Sequence, residues 1–158
     1  MTRPVGSPAL SDQEAASHVR RSSWEPRPQN YTANHRVPTG DELAAFHAAQ
    51  ASVDEWNVNP YAQQVTGDFT GTTEEIIQWA AWKWGVDEDV LRAVASTEST
   101  WEQDAVARDG QYYSYGITQV LDQWAGTDPL ARLSTAFNAD FYGASLRFVF
   151  DGRNRWLM

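Results

Sequence analysis

Cysteine is missing from all 158 residues, which excludes disulfide staples, thiolate metal sites, iron–sulfur clusters and thiol nucleophiles together. The same absence fits a reducing or an oxidising compartment, so it assigns neither. No apolar stretch approaches the roughly 20 residues that a membrane-spanning helix needs, and no such span is expected. Basic residues are scarce: 12 Lys and Arg stand against 21 Asp and Glu, for a net charge of −9. A chain with that balance lacks the cationic surface that grips a phosphate backbone by counterion release, so nucleic acid is not an expected partner. Phosphate loops, dinucleotide fingerprints and nucleophile elbows are absent. His18, His35 and His47 lack metal-ligand spacing, so neither a metal nor a cofactor is expected. No period of 20–50 residues repeats, which removes solenoids.

What is present is aromatic: eight Trp, six Tyr and six Phe, enough for a compact core or a sugar-binding cleft. The charges are unevenly spread. Residues 1–40 hold five Arg and three acids, whereas 41–158 hold seven basic and 18 acidic side chains. The first stretch carries Pro4, Pro8, Pro26, Pro28 and Pro38 and few large apolar residues, so it offers little burial to offset its ordering entropy. Residues 1–38 are therefore expected to be a flexible, disordered arm, followed at 39–158 by one folded domain. Residues 1–10 have no apolar core of a secretory signal. An extracellular chain of this kind is expected to use another route, or to be excised from a larger exported or phage protein.

From Thr39 the pattern is helical. Thr39 with Glu42 forms a capping box ahead of Leu43, Phe46, His47 and Gln50. A loop over 52–71 follows, with Asn57, Asn59, Pro60, Gly67 and Gly71. Thr72 with Glu75 opens a second helix through Ile76, Ile77, Ala80, Ala81 and Trp84, and Gly85 ends it as a left-handed residue. Trp79, Trp82 and Trp84 cannot share one helical face, so two are expected in the core and one on the surface. Asp87 caps a third helix, with Val86 and Leu91 as its hydrophobic staple and Val90, Leu91, Val94 and Ala95 along its stripe. A polar connection over 107–116 precedes a short apolar segment at 117–121, and a last helix is expected from about Ser134 to Phe150. The fold class is mainly α.

Glu98 breaks the stripe of its own helix. It lies seven positions after Leu91 and three after Ala95, which brings its carboxylate towards the apolar face. Desolvation there, together with the negative pole of the helix, favours the protonated form. A protonated carboxyl near neutral pH is what general-acid cleavage of a glycosidic bond requires. Periodicity alone leaves a second reading equally open, in which the helix end frays and Glu98 turns to water.

The surrounding residues carry a resemblance. Glu98-Ser99-Thr100-Trp101, then Ala105-Val106, then Tyr115-Gly116-Ile117-Thr118-Gln119-Val120 resembles the signature of lytic transglycosylases and goose-type lysozymes. Gly71 to Ala80, with Trp84-Gly85-Val86, resembles the preceding helix of those domains. Asn138, Gly143-Ala144 and Leu146-Arg147 resemble a later one. The similarity spans about 72–151. It implies a lysozyme-like domain, with peptidoglycan glycan strands as partner and no cofactor. Glu98 would be the general acid and later the base. Ser99 would hold nearby backbone or the sugar's acetamido group, Gly116 would let the backbone approach the glycan, and Gln119 would orient Glu98. Ile117 would pack beneath the cleft. Trp101 and the Tyr112-Tyr113-Tyr115 group are candidates for stacking on sugar rings, with core packing at least an equal alternative for Trp101. Three departures stand out: Thr118 replaces a Met, the segment 109–114 is longer, and the Tyr of a later Tyr-Asn pair is missing. Tyr142 or Tyr113 would have to replace that Tyr, although neither position matches, and the domain is expected to be C-terminally truncated.

Glu102, four residues after Glu98, is the nearest second carboxylate, and a continuing helix would bring the two together. Asp104 and Asp109 are weaker candidates for holding a water. One carboxylate suffices for the reaction the resemblance implies: cleavage of the β-1,4 bond between N-acetylmuramic acid and N-acetylglucosamine with formation of a 1,6-anhydro end. The alternatives are a lysozyme-type muramidase and a non-catalytic glycan-binding module. The protein is expected to act as a monomer, outside the cell or at its wall.

Overall fold

A computed structural model of the chain describes residues 1–53 and 58–153, so positions 54–57 of the 52–71 loop, Asn57 among them, lie outside the described residues. The two capping boxes read from the sequence start helices where expected, and a third, Ser11 with Glu14, starts a helix in the stretch expected to be disordered. Thr39 and Glu42 exchange side-chain and backbone bonds at the start of α3 (Gly40–Ala51), and Thr72 and Glu75 do the same for α4 (Thr73–Trp84). Gly85 ends α4 at φ 62°, and Asp87 caps α5 (Glu88–Ser99) through the amide of Asp89. Ser134 caps α7 (Thr135–Phe150), which follows the single turn α6 (Leu130–Leu133). The polar connection after α5 is a small sheet. Strand β1 (Val106–Asp109) pairs antiparallel with β2 (Tyr112–Tyr115), which pairs with β3 (Val120–Leu121).

Helix α4 runs through the middle. Ile76, Ile77, Trp79, Ala80 and Trp84 are buried on it, and α7 packs alongside with Phe137, Phe141 and Ala144. Gly143 is where the two helices come closest, since a Cβ there would sit 2.5 Å from the Trp84 ring. From α3, Phe46 meets Phe137 edge-on with centroids 5.0 Å apart. A fully buried ring of this kind contributes roughly 1.5–3 kcal/mol by removing apolar area from water. Of the three tryptophans, Trp79 and Trp84 are buried, while Trp82 stays at the surface stacked on His18 at 4.3 Å. The core is not wholly apolar. Lys83, 2% exposed, reaches Asp140 of α7 at 2.8 Å, and Trp84 Nε1 donates to the other Asp140 oxygen at 2.6 Å. A buried charge of this sort persists only when paired.

Residues 1–38, expected as a disordered arm, lie along the domain as a strap. The strap holds α1 (Asp12–Ser17), a 3₁₀ turn (Pro28–Asn30) and α2 (Tyr31–Asn34). Counting apolar area misjudged it because polar groups dock it. Asp12 completes the Lys83 ion pair at 2.7 Å, and the amide of Leu10 donates to Lys83 O at 2.9 Å. Arg20 pairs with Glu88, and Glu25 accepts the amide of Thr73 at the start of α4. Each partner is 48 or more residues away, so no local pattern announced the contact.

Candidate active site

Helix α5 delivers Glu98, and its stripe decides where the carboxylate goes. Leu91, Ala95 and Ser99 are the buried residues of α5, and this row moves about 40° around the axis with every four residues. By the last turn the row has moved away from Glu98, which is exposed. The burial expected from Leu91 spacing is therefore absent: water is withheld from Ser99, not from Glu98. Ser99 Oγ lies 3.0 Å from the carbonyl oxygens of Ala95 and Ile117, so its hydroxyl ties the end of α5 to the turn between β2 and β3.

That turn is fixed from behind by two buried amides. Asn138, fully buried on α7, accepts from Thr118 N at 3.0 Å and Thr118 Oγ at 2.7 Å, and donates to Tyr115 O and Ala131 O at 2.8 Å. Thr118, the residue at the family's Met position, thus earns its place through a hydroxyl that Met lacks. Gln103 accepts from Ile117 N at 3.2 Å and donates to Ala131 O at 2.9 Å. Gly116 has φ 78°, and a Cβ there would sit 2.3 Å from Asn138 Nδ2. The glycine is therefore required by its own conformation and by the amide behind it. The amide of Gln119 donates to Gly116 O at 2.9 Å and Ala105 O at 3.2 Å, bracing the turn. Ile117 is buried beneath it.

The aromatic candidates separate by strand parity. Tyr113 and Tyr115 share one face of β2 with rings 6.4 Å apart and nearly parallel, Tyr113 being 41% exposed. Arg132 covers Tyr115 at 5.5 Å. Trp101 is partly buried against the core and meets Trp24 of the strap edge-on at 6.2 Å. Glu102 does not stack on Glu98, because α5 stops at Ser99 and both Thr100 and Trp101 are left-handed (φ 54° and 69°). Its carboxylate lies instead 3.8 Å from Arg27. Asp104 is exposed. Among the described residues no group of His, Asp or Glu has the makings of a metal site.

Tyr142 of α7 lies near enough to Glu98 to sense its charge, although its position does not match the tyrosine that the resemblance implies. It lies one turn after Asn138 on the same helix face and is half-buried. Burial pushes the phenol's pKa up, and the nearby Glu98 carboxylate pushes it further the same way. Tyr142 is thereby held as a neutral phenol within electrostatic reach of Glu98. Sequence reasoning missed Gln103, Asn30 and Arg27, which carry no local signal because their partners are distant in the chain. No curated protein and no solved structure matches the chain. Residues 75–138, from the first turn of α4 through α5, the sheet and α6 to the start of α7, match the family model described as the Transglycosylase SLT domain, and the mainly α architecture with its small sheet is consistent with the lysozyme-like fold of such domains.

Proposed function

We propose that the chain is a peptidoglycan lytic transglycosylase that cleaves the β-1,4 bond between N-acetylmuramic acid and N-acetylglucosamine, with Glu98 as general acid and then base. The observation that carries this reading is the bond between Ser99 and Ile117 O, which joins two motifs of the matched segment and leaves the Glu98 carboxyl facing solvent beside them. Glu98 gives its proton to the leaving N-acetylglucosamine oxygen as the C1–O bond breaks. The acetamido oxygen of the muramyl residue closes on C1. The Glu98 carboxylate then takes the proton from the C6 hydroxyl, whose oxygen displaces the acetamido oxygen and closes the 1,6-anhydro ring. No water enters, so the reaction needs no second carboxylate to position one, and Glu102 lies beside Arg27 at 3.8 Å. The glycan lying over Glu98 expels water and strengthens every electrostatic contact there, Tyr142 included. Tyr113 and Tyr115 present stacked rings for sugar faces, and the protein works as a monomer on wall material outside the cytoplasm.

Digestion of purified peptidoglycan followed by mass spectrometry of the released muropeptides tests the proposal. Wild type releases anhydro ends, one water lighter than hydrolytic ends, and Glu98→Gln releases none while still sedimenting with the wall. Hydrolytic ends would make the protein a muramidase. Unchanged release by Glu98→Gln would remove Glu98 from the chemistry, and absence of any release by wild type would leave a glycan-binding module.

A further inference from the structure

The strap contributes to the site at one place. Helix α5 ends in two consecutive left-handed residues that are not glycine, Thr100 and Trp101, and side chains rarely hold this conformation without outside support. Both of their carbonyls are captured by the strap. Arg27 Nε donates to Thr100 O at 2.7 Å, and Asn30 Nδ2 donates to Trp101 O at 2.8 Å. Asn30 is 2% exposed and uses its whole amide: Nδ2 also donates to Thr73 Oγ at the head of α4 (3.0 Å), and Oδ1 accepts from Gln103 N at 2.9 Å. Gln103 in turn accepts from Ile117 N. One buried asparagine thus joins the start of α4, the turn that ends α5 and, through Gln103, the Gly116–Ile117 backbone. Arg27, Asn30 and Thr73 lie outside the matched residues 75–138, whereas the groups they hold, Thr100, Trp101 and Gln103, lie within them.

We propose that Arg27 and Asn30 are positioning residues that clamp the left-handed turn and thereby aim Glu98. The proposal rests on the reading of Glu98 as the acid, and it adds that the matched segment alone lacks a correctly set catalytic carboxyl. Arg27 acts from the surface and Asn30 from the interior, so the two separate aiming from folding. Removing Arg27 frees the Thr100 carbonyl without opening the core, and a small displacement of Glu98 lowers turnover while glycan contacts made elsewhere persist.

The test uses the full chain with soluble glycan strands as substrate. Arg27→Ala is expected to lower kcat about tenfold with KM within about twofold, since misplacement of a reacting group acts on the chemical step. Arg27→Lys, whose ammonium reaches the same carbonyl, restores part of that loss. Arg20→Ala removes a strap ion pair remote from the turn, with Glu88, and retains wild-type kcat. Amide exchange gives a readout that does not depend on catalysis. In Arg27→Ala the amides of Thr100, Trp101 and Glu102, which close the turn, exchange about tenfold faster while those of α4 are unchanged. Asn30→Asp, which keeps the shape and loses the donor to Trp101 O, shows the same exchange change with a lowered Tm. Unchanged turn exchange and kcat in Arg27→Ala would overturn the clamp, as would an equal loss of kcat in Arg20→Ala. Cleavage by Glu98→Gln would instead overturn the reading of the acid, and the exchange data would still decide the clamp.

Discussion

Replacing Gly116 by alanine tests whether the turn beside Glu98 is held by packing or only by backbone conformation. Two penalties are expected at this site. Placing an L side chain at φ 78° costs about 1–2 kcal/mol. The new Cβ also falls 2.3 Å from Asn138 Nδ2 and 2.8 Å from Gln103 Nε2, both on side chains with no room to retreat, because Asn138 is fully buried and Gln103 is 2% exposed. Moving Asn138 strands the Tyr115 carbonyl, while Ala131 O keeps its bond from Gln103, at about 1–3 kcal/mol for the one group left unsatisfied. The total is about 2–5 kcal/mol. Gly110, in the β1–β2 turn, provides the control: its φ is 62°, yet a Cβ there meets nothing within 4 Å. Gly110→Ala should therefore show the conformational cost alone. Urea denaturation of both variants measures the difference. With a domain of this length, each kcal/mol moves Tm by about 2–4 °C, so the two separate in a thermal scan as well. Equal destabilisation by the two substitutions would refute the claim that Asn138 and Gln103 dictate the glycine.

Two further outcomes follow from buried charge and from the phenol. Tyr142 titrates above the ordinary tyrosine value, so the folded chain favours the neutral phenol; this contribution to stability is whole below about pH 10 and fades as pH rises through the folded value. Spectrophotometric titration, with Tyr142→Phe identifying the signal, should show Glu98→Gln lowering that midpoint without returning it to the free value, because burial, the larger cause, remains; an unmoved midpoint would deny that the Glu98 charge acts on the phenol. Asp140→Asn leaves Lys83 buried with a single carboxylate and should cost about 3–5 kcal/mol in chemical denaturation. Asp12→Asn, at the more open end of the same network, should cost about 1.5–3 kcal/mol, and a ranking in which it costs more would contradict the assigned roles.

Local chemistry made much of the fold legible. Capping boxes at Thr39 and Thr72, the left-handed Gly85 and the Asp87 cap are events within four residues, and each determines a helix end by itself. The last helix begins one residue after its expected start, with Ser134 as its cap. The segment over 107–116 was read as a connection, because the small, polar and aromatic residues of β1 and β2 show no clean alternation. The hairpin is instead held by pairing from Val106–Tyr115 to Asp109–Tyr112. The strap was illegible for a different reason. Its stabilising partners are Lys83, Thr73, Glu88 and the carbonyls after Ser99, all supplied by the far side of the chain. At the site, the motif residues were visible as types, but the bonds that hold them were less so: Ser99 ties backbone as expected, Gln119 braces the turn, and the frame behind it rests on Asn138 and Gln103.

The distribution of burial around Glu98 bears on how such a site is organised. Ser99, Gly116, Ile117, Thr118, Gln103 and Asn138 are all buried and bonded to one another or to the backbone, whereas the one carboxyl proposed to react is open to water. A buried network of satisfied amides has few alternative arrangements, since any shift would orphan a polar group in a region of low dielectric. Order is thus concentrated one layer beneath the reacting atoms. An exposed carboxylate on a rigid base keeps its hydration until a ligand displaces it, and then meets that ligand from a fixed direction without having to reorganise the protein. For a substrate as extended as a glycan strand this division is physically economical: the polymer supplies the cover that a small domain cannot, and the domain supplies the aim. The strap extends the same logic outward, because Arg27 and Asn30 bond the carbonyls of Thr100 and Trp101 just after Glu98, while Ser99 bonds Ala95 O and Ile117 O.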